Sequence, residues 1–356
     1  MTGQMCVRRY GNRISGQPAI IFIHGAAQTG THFEVTPDGR PGLAVLQAAA
    51  GWECYVVDQP GVGRSRYHAD DIGDLSHYTV EAMESFFTAP SPESTPWAAL
   101  HTQWPGSGKR GDPIFDAFYA SQVGHIVNYK VAEKLFRAAA KALFQRTGPA
   151  FLVTHSQSGP MGWHAADECP DQVCGIVALE PHGPPYLYPN SPPFSTRPEL
   201  LGKVIHPFGI TTLPLHYDPP LPPDAQVLPF TTEEHCVLPG SSLVETEKLP
   251  RDRPRQLSPA RRLQNLAHVP IVVTTAEASY HKAVDALTVE FLRDAGVPTE
   301  HIYLADRGIY GNGHLMALEK NNDEIQRLID DWLRGQISTV LQADQNCAER
   351  MTEVRK

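Results

Sequence analysis

The sequence predicts an α/β protein whose core is a mostly parallel sheet with helices on both faces. Short apolar runs at 19–24, 52–58 and 151–154 have the length and composition of buried strands. Segments with helical periodicity separate these runs, and a chain that alternates strand with helix forms parallel strands joined by helical crossovers. The 356 residues suffice for one decorated domain or two ordinary ones.

The same pattern continues towards the C-terminus. Further strands are predicted at 173–179, 270–275 and 301–304, and a helix is predicted at 43–50 between the first two strands. Apolar residues recur at helical spacing before two glycines, Gly296 and Gly335, and each glycine predicts the end of its helix.

One long segment breaks the alternation. Thirteen prolines lie between Pro181 and Pro223, and proline is excluded from helix interiors and central strands. An insertion of this length is typical of a lid or binding loop, with disorder as the alternative. A shorter insertion that carries Trp97 and Trp104 is expected to share the covering role. The predicted organisation is a core of 1–180 and 263–335, a Pro-rich lid of 181–262, a smaller insertion at 88–113, and a polar tail at 336–356.

Composition and charge exclude several classes of function. The net charge of −9 and the pI near 6.0 give no reason to expect nucleic acid or an anionic membrane as a partner. No apolar run reaches the roughly 18 residues of a membrane span. The N-terminus lacks the apolar stretch of a secretory signal, so a cytoplasmic protein is expected. The six cysteines form no Cys-x-x-Cys pair, which indicates neither a zinc site nor a disulfide framework.

The most informative segment is 151–159, Phe-Leu-Val-Thr-His-Ser-Gln-Ser-Gly, an apolar strand that leads into a turn of small residues and then a helix. A serine on such a turn projects its hydroxyl above the sheet, provided that the residues two before and two after it are small. Thr154 and Ser158 meet this condition for Ser156. The segment therefore predicts a nucleophile elbow with Ser156 as the nucleophile.

Ser158 is the rival nucleophile, because the pattern departs from Gly-x-Ser-x-Gly at both small positions. A nucleophile at 158 would place Pro160 two residues after it, which fits the turn poorly. Ser156 is therefore preferred.

Acyl transfer also needs backbone donors that face the developing oxyanion. The amide of Gln157, directly after the predicted nucleophile, is the first candidate. The loop His-Gly-Ala-Ala-Gln-Thr-Gly at 24–30 follows the first strong strand and is the expected source of the second, through the Ala26 amide.

The general base is expected late in the chain, after the last strand. His314 meets this expectation, because it lies in a glycine-rich turn after the strand at 301–304 and before the last helix. His281, His301 and His182 are the alternatives.

Three carboxylates compete for the role of triad acid. Glu277 lies just past the strand at 270–275, where most enzymes with a nucleophile elbow on a parallel sheet have the acid. Asp306 is a less favoured alternative. Glu180 ends the strand at 173–179. The residues alone favour Glu277 as the acid, but they exclude neither Glu180 nor Asp306.

These motifs together resemble a small group of α/β-hydrolase esterases of the Alcaligenes type, which have a Ser-Gln-Ser-Gly elbow and a Ser-His-Glu triad. The similarity covers the core from about 19 to 334, apart from the two insertions. The matching segments are 24–30, 36–40 (Thr-Pro-Asp-Gly-Arg), 55–65, 154–159, 177–181 and 311–322.

The resemblance implies an α/β-hydrolase fold in which Ser156 is nucleophile, Glu180 acid and His314 base, with Gln157 and Ala26 as oxyanion donors. Adjacent cysteines of the family's oxyanion loop are replaced here by Ala26-Ala27, and the insertion after Glu180 is much longer. The substrate therefore does not carry over from the family.

The expected function is hydrolysis of a carboxylic ester or lactone through an acyl-enzyme. An acyltransferase or cyclising enzyme with the same triad is one alternative, and a ligand-binding relative without turnover is another. No cofactor or metal is expected, the partner is a small-molecule substrate, and a homodimer is among the oligomeric states that the sequence allows.

Overall fold

The structure is a computed structural model that describes residues 3–92, 95–188, 201–233 and 253–353, with the backbone alone for 338–353. Within these ranges the strands are β1 (Cys6–Tyr10), β2 (Ala19–Ile23), β3 (Cys54–Asp58), β4 (Leu75–Ser76), β5 (His125–Ile126), β6 (Ala150–His155), β7 (Val173–Leu179), β8 (Tyr186–Leu187), β9 (Val204–His206), β10 (Tyr217–Asp218), β11 (Phe230–Glu233), β12 (Arg253–Gln256), β13 (Arg262–Leu263), β14 (Ile271–Thr275) and β15 (Thr299–Tyr303). The α-helices are α1 (Thr31–Glu34), α2 (Leu43–Ala49), α3 (Ala69–Ile72), α4 (Val80–Met83), α5 (Pro113–Ala120), α6 (Tyr129–Thr147), α7 (Gly159–Glu168), α8 (Asp285–Asp294) and α9 (Asn322–Glu353).

Seven strands form the central sheet, in the order β1-β3-β2-β6-β7-β14-β15. All neighbouring pairs are parallel except β1 and β3, which are antiparallel. Every strand predicted from an apolar run belongs to this sheet. The parallel strands inside the sheet, from β3 to β14 in that order, are buried on both faces because helices cover the two sides, whereas β15 at the edge is mostly only half-buried. The predicted α/β-hydrolase architecture of the core is confirmed.

β1 was not predicted from the sequence. Its residues Val7, Arg8 and Arg9 are exposed, so the strand has no apolar run to reveal it. It forms by pairing with β3 at the edge of the sheet, where charged side chains also discourage pairing with other chains.

Two hydrophobic clusters lie on the two faces of the sheet. One contains Phe136 of α6, Trp163 of α7 and Phe291 of α8, while the other contains Leu43 of α2 and Ile329 of α9. Burial of these apolar side chains is the main force that fixes the helices on the sheet. The carboxyl ends of the parallel strands thus form one common edge, where the predicted site residues lie.

The described part of the Pro-rich insertion contains short strands, in the antiparallel pairs β8–β9, β10–β13 and β11–β12. It also contributes to the main hydrophobic core, since Tyr186, Ile210 and Tyr217 are almost fully buried there. These residues make the segment an integral part of the domain. Positions 189–200 and 234–252 of the predicted lid lie outside the described residues.

The predicted helix end at Gly335 is wrong. α9 continues through this glycine to Glu353, so most of the segment predicted as a polar tail, 336–356, is helical backbone. A glycine weakens a helix interior by only about 1 kcal/mol, which the packing of Ile325, Ile329 and Leu333 against the sheet offsets. No helix among the described residues is long and apolar enough to span a membrane.

Candidate active site

The turn predicted as a nucleophile elbow joins β6 to α7 through a short 3-10 helix at Ser156–Ser158. Ser156 has a φ of +54°, a left-handed conformation that is uncommon for a residue with a side chain. Strain of this kind is characteristic of functional turns, and here it follows from the sharp reversal between strand and helix. Gly25 lies so close that a Cβ there would be 3.0 Å from the Ser156 Cβ.

Ser158, the rival serine, uses its hydroxyl to hold the turn together. Its Oγ donates 2.6 Å to the carbonyl of Ile23 at the end of β2, and it accepts 2.8 Å from the amide of His155. The side chain is fully buried, whereas Ser156 lines a cavity. This geometry gives Ser158 a structural role beneath the elbow.

His314 and Glu180 are in direct contact. Their side chains meet at 2.6 Å between His314 Nδ1 and Glu180 Oε2, and both are buried. The other Glu180 oxygen, Oε1, accepts from the amide of Ala276 at 2.8 Å, and Oε2 also accepts from the Ser279 hydroxyl at 2.7 Å. The carboxylate is therefore held by two donors from the segment that follows β14, the strand next to β7 in the sheet.

Burial has the largest influence on the pKa values of both His314 and Glu180. It lowers the pKa of His314 well below its usual range, and nearby histidines, His281 first among them, add to the effect. The pKa of Glu180 is raised, first by burial and then by the neighbouring Asp285 carboxylate, while the hydrogen bond from Ser279 opposes the rise. A buried imidazole kept neutral near pH 7 can accept a proton, as a general base must.

The competing carboxylates lie elsewhere. Glu277, which the residues alone favoured as the acid, accepts a hydrogen bond from the Gly311 amide at 2.8 Å and so braces the turn that carries His314. Asp306 is exposed on a short 3-10 helix. Of the three candidate acids, Glu180 is the one that the structure brings to His314.

The alternative histidines have other contacts. His301 Nε2 is 2.9 Å from the Thr275 hydroxyl, and burial lowers its pKa to about 3. His182 lines the cavity near Ser156. His281 is 2.9 Å from Asp285 and stacks on the His314 ring, with the ring centroids 4.6 Å apart and the planes 8° from parallel.

The loop after β2, the predicted source of an oxyanion donor, is anchored on both sides. His24 accepts from the amide of Gln59 at 3.0 Å, and the Gln59 side chain donates back to the His24 carbonyl at 2.6 Å. Asp58 binds the amide of Gly30 at 2.8 Å. Ala26 and Gln157 line the same cavity as Ser156, so both predicted donors border the space in which a substrate carbonyl would lie.

This main cavity has a volume of about 350 Å³ and contains Ser156 and His314 in its wall. Most of the remaining lining is aromatic or aliphatic. Phe87, which lies on a π-helical turn after α4, stacks on the His314 ring at 5.5 Å between centroids, and Tyr280 contacts the same ring. The cavity thus combines an aromatic and aliphatic lining with several polar groups, as is usual for ligand sites.

The segment 88–113 does not contribute its tryptophans to the described lining of this cavity. Trp104 packs on Phe118, and Trp97 lies under the ammonium group of Lys282. The segment instead supports the turn that carries His314, because its His101 binds the buried carboxylate of Glu319 at 2.8 Å. The sequence contained no local pattern that could reveal this support.

Glu319 is the centre of that support. Its oxygens accept from the amide of Gly313 at 3.0 Å and from the Asn312 side chain at 2.8 Å. Arg40, from the segment Thr36–Arg40, donates to the carbonyls of Leu318, Glu319 and Lys320. Three side chains thus stabilise the segment around His314, namely Glu319, Arg40 and Glu277.

Glu180, His281 and His314 also offer potential metal-ligand atoms within 4.8 Å of one another. Hydrogen bonds among the side chains account for this grouping, since His314 binds Glu180 and His281 binds Asp285. The proximity of these three side chains is therefore explained by their hydrogen bonds.

Comparison with known proteins places the chain in a family. The model of the alpha/beta hydrolase family matches residues 20–328. The chain belongs to this family. A protein named "Probable secreted lipase phiG", from Fungal sp. (strain ATCC 74256), is 41% identical over 317 residues, which cover 89% of this chain and 82% of the relative.

A solved structure has a similar fold. One described as "The Atomic Resolution Structure of a Novel Bacterial Esterase" superimposes with a TM-score of 0.54 at 20% sequence identity, covering 94% of this chain and 86% of that one. At this identity the likeness establishes the fold alone. The resemblance to α/β-hydrolases inferred from the motifs is confirmed at the level of family and fold.

Proposed function

We propose that this alpha/beta hydrolase is a serine enzyme that cleaves a carboxylic ester or a lactone. The observation that carries the proposal is the buried 2.6 Å contact of His314 Nδ1 with Glu180, beside a cavity that both Ser156 and His314 line. With Nδ1 engaged by the carboxylate, Nε2 is the nitrogen available for proton transfer.

In the proposed mechanism, His314 removes the Ser156 proton as Oγ attacks the substrate carbonyl. The amides of Gln157 and Ala26 stabilise the oxyanion, the protonated His314 gives its proton to the leaving alcohol, and an acyl-enzyme remains. Water then attacks the acyl group with His314 again as the base, which releases the acid. Glu180 holds the imidazole in the required tautomer and stabilises its protonated form.

The names of related proteins agree with ester chemistry, since the fungal relative is named a lipase and the superimposed bacterial protein an esterase. The cavity narrows the substrate class further. Among the described residues of its lining, none is Lys, Arg, Asp or Glu. A charged substrate would lose hydration there without gaining an ion pair to any of these four residue types, so we propose an uncharged substrate with an apolar acyl or alcohol part.

We propose that the Pro-rich insertion, 181–262, covers this cavity and selects the substrate. His182, Tyr188 and Ile205, all from the insertion, contribute to the lining. An insertion after the carboxyl end of a strand lies beside the catalytic edge of an open α/β sheet. Ile205→Ala should therefore change the relative kcat/KM for esters of different bulk more than it changes thermal stability.

The cytoplasmic location expected from the N-terminus stays a prediction, and the name of the fungal relative, a secreted protein, points the other way. Fractionation of the native host with an antibody to the protein would decide between them.

A panel of chromogenic esters of graded chain length, together with lactones, tests the proposal. Wild-type protein should hydrolyse at least one member, and Ser156→Ala should abolish that turnover while it leaves the circular dichroism spectrum unchanged. Ser158→Ala serves as the matched control and should retain turnover.

Product analysis with an added alcohol separates hydrolysis from acyl transfer, the first alternative. A protein that binds esters but turns none over, in either the presence or the absence of alcohol, would be the non-catalytic relative instead.

A further inference from the structure

A second cavity lies behind the predicted oxyanion loop. This side cavity has a volume of about 180 Å³ and is lined by the segment after β2, by the end of α5 and by Leu318. Gln28 and Phe118 line both this cavity and the main one. The two cavities therefore adjoin, with these two side chains between them.

Several buried polar atoms belong to residues of the side cavity. Within the part of the chain that the structure describes, no hydrogen-bond partner contacts Gln28 Oε1, Gln122 Oε1 or either ring nitrogen of His32. Gln28 and His32 are each only 5% exposed. A buried polar group without a partner destabilises a protein by about 1–3 kcal/mol, so four such atoms around one cavity indicate a polar ligand.

Water fits these atoms best. A water molecule takes about 30 Å³ in the liquid and needs two to four polar partners. A cavity of about 180 Å³ has room for several molecules, and the four unpaired atoms can bind the first one or two of them directly. A neutral imidazole has one donor and one acceptor, and water can satisfy both. Burial lowers the pKa of His32, which keeps its ring in that neutral form.

We propose that the side cavity binds water and delivers it to the acyl-enzyme past Gln28 and Phe118. This inference rests on the proposed esterase function. During turnover the acyl group occupies the main cavity, whose described lining is largely apolar, and so obstructs the direct approach of water. The side cavity has its own opening to solvent, because Val35, Ala117 and Ser121 in its lining are exposed.

The delivered water hydrolyses the acyl-enzyme in two steps. Its oxygen forms a bond to the acyl carbon as one proton passes to Nε2 of His314. The tetrahedral intermediate then breaks its bond to the Ser156 Oγ, which takes the proton back from His314 as the carboxylic acid leaves. No further reactant is required.

Partition of the acyl-enzyme between water and an alcohol tests the proposal. Ala117→Leu places a larger side chain at the mouth of the side cavity, and Ala120→Leu adds the same side chain to the same helix, α5, at an exposed position outside that lining. Both variants and the wild type receive a chromogenic ester and benzyl alcohol, an acyl acceptor much larger than water. The ratio of benzyl ester to free acid is then measured.

Ala117→Leu should raise this ratio about threefold or more, because water is hindered while the alcohol still enters through the main cavity. Ala120→Leu should keep the wild-type ratio, and fluorophosphonate should label Ser156 at the same rate in all three proteins. The ratio is set after acylation, so it does not depend on how fast the acyl-enzyme forms. An unchanged ratio in Ala117→Leu would overturn the proposal.

A crystal structure of the wild type gives an independent test. We expect ordered waters within hydrogen-bond distance of His32 and Gln28, and a dry cavity would also overturn the proposal. If the wild type neither reacts with fluorophosphonate nor hydrolyses any ester, the proposed function itself fails. If it does both but the ratio stays unchanged, only the water route fails.

Discussion

The two halves of the candidate triad are built in different ways. The elbow around Ser156 comes from one continuous stretch, β6 followed by α7, whereas the His314–Glu180 contact joins residues 134 positions apart. A continuous stretch leaves its geometry in the local sequence, as small residues between a strand and a helix. A contact over such a distance depends on how strands are ordered in the sheet. The residues alone therefore indicated Ser156 as the candidate nucleophile, but they did not indicate which carboxylate contacts His314.

Substitution of each candidate acid by glutamine is expected to give the largest effect and the clearest test of this comparison. We expect Glu180→Gln to lower kcat at least about a hundredfold, because the corresponding change in serine proteases costs about 10⁴ in turnover by misplacing the imidazole proton. Glu277→Gln, whose carboxylate binds the Gly311 amide and not His314, should lower kcat less than about tenfold. Steady-state kinetics of the two variants, with circular dichroism to establish folding, measure both effects.

If Glu277→Gln lowered kcat more than Glu180→Gln did, the acid would be Glu277, at the position after β14 that most enzymes of this fold use. Two small effects would point to Asp306.

The pH profile tests whether the buried base is held neutral. The pKa of His314 is lowered from its usual value of about 6.5, so the base form persists below that pH and activity is lost only as pH falls through the lowered pKa. The acidic limb of kcat/KM, which reports the free enzyme, should therefore have its midpoint below pH 6.5, and the rate should fall about tenfold per pH unit beneath it. A midpoint at or above 6.5 would contradict the burial argument.

Support of the turn that carries His314 can be tested at His101. His101→Leu removes its hydrogen bond to Glu319 and should lower kcat about tenfold with KM changed less than about twofold, since the base is displaced while the substrate pocket is kept. His101→Gln, which can still donate to Glu319, should recover most of the loss. If the two variants change KM instead, the segment 88–113 contacts the substrate.

The smallest effect on activity is expected at the rival serine. Ser158→Ala removes the hydrogen bonds of a buried hydroxyl to Ile23 and His155 and should lower the free energy of unfolding by about 2 kcal/mol. Turnover at 25 °C should stay within about threefold of wild type. Urea denaturation and kinetics on one preparation measure both, and a large loss of kcat with unchanged stability would make Ser158 part of the chemistry.

The fold was predictable where strands are buried. The apolar runs at β2, β3, β6, β7 and β14 have two covered faces, so each is hydrophobic throughout and stands out from the polar turns around it. β1 is exposed and forms through its partner, and Gly335 lies in a helix whose stability comes from packing rather than from propensity. Neither could be read from local pattern alone.

The candidate site shows the same division. Ser156, Gln157 and His314 were proposed from motif and chain order, whereas the contacts of Glu319 and Arg40 with the segment around His314 depend on loops that meet only in the fold. The Pro-rich insertion was recognised by its prolines, yet its contribution of Tyr186 to the core had no pattern to mark it, because short irregular strands lack periodicity.

Mapping of a fluorophosphonate adduct tests the central claim most directly. Wild-type protein and Ser158→Ala should each gain one adduct, located by tandem mass spectrometry on Ser156, while Ser156→Ala should gain none. His314→Ala should react much more slowly, because the hydroxyl has lost its base. An adduct on Ser158, an adduct on neither serine, or equally fast labelling without His314 would contradict the assignment of Ser156 and His314 as nucleophile and base.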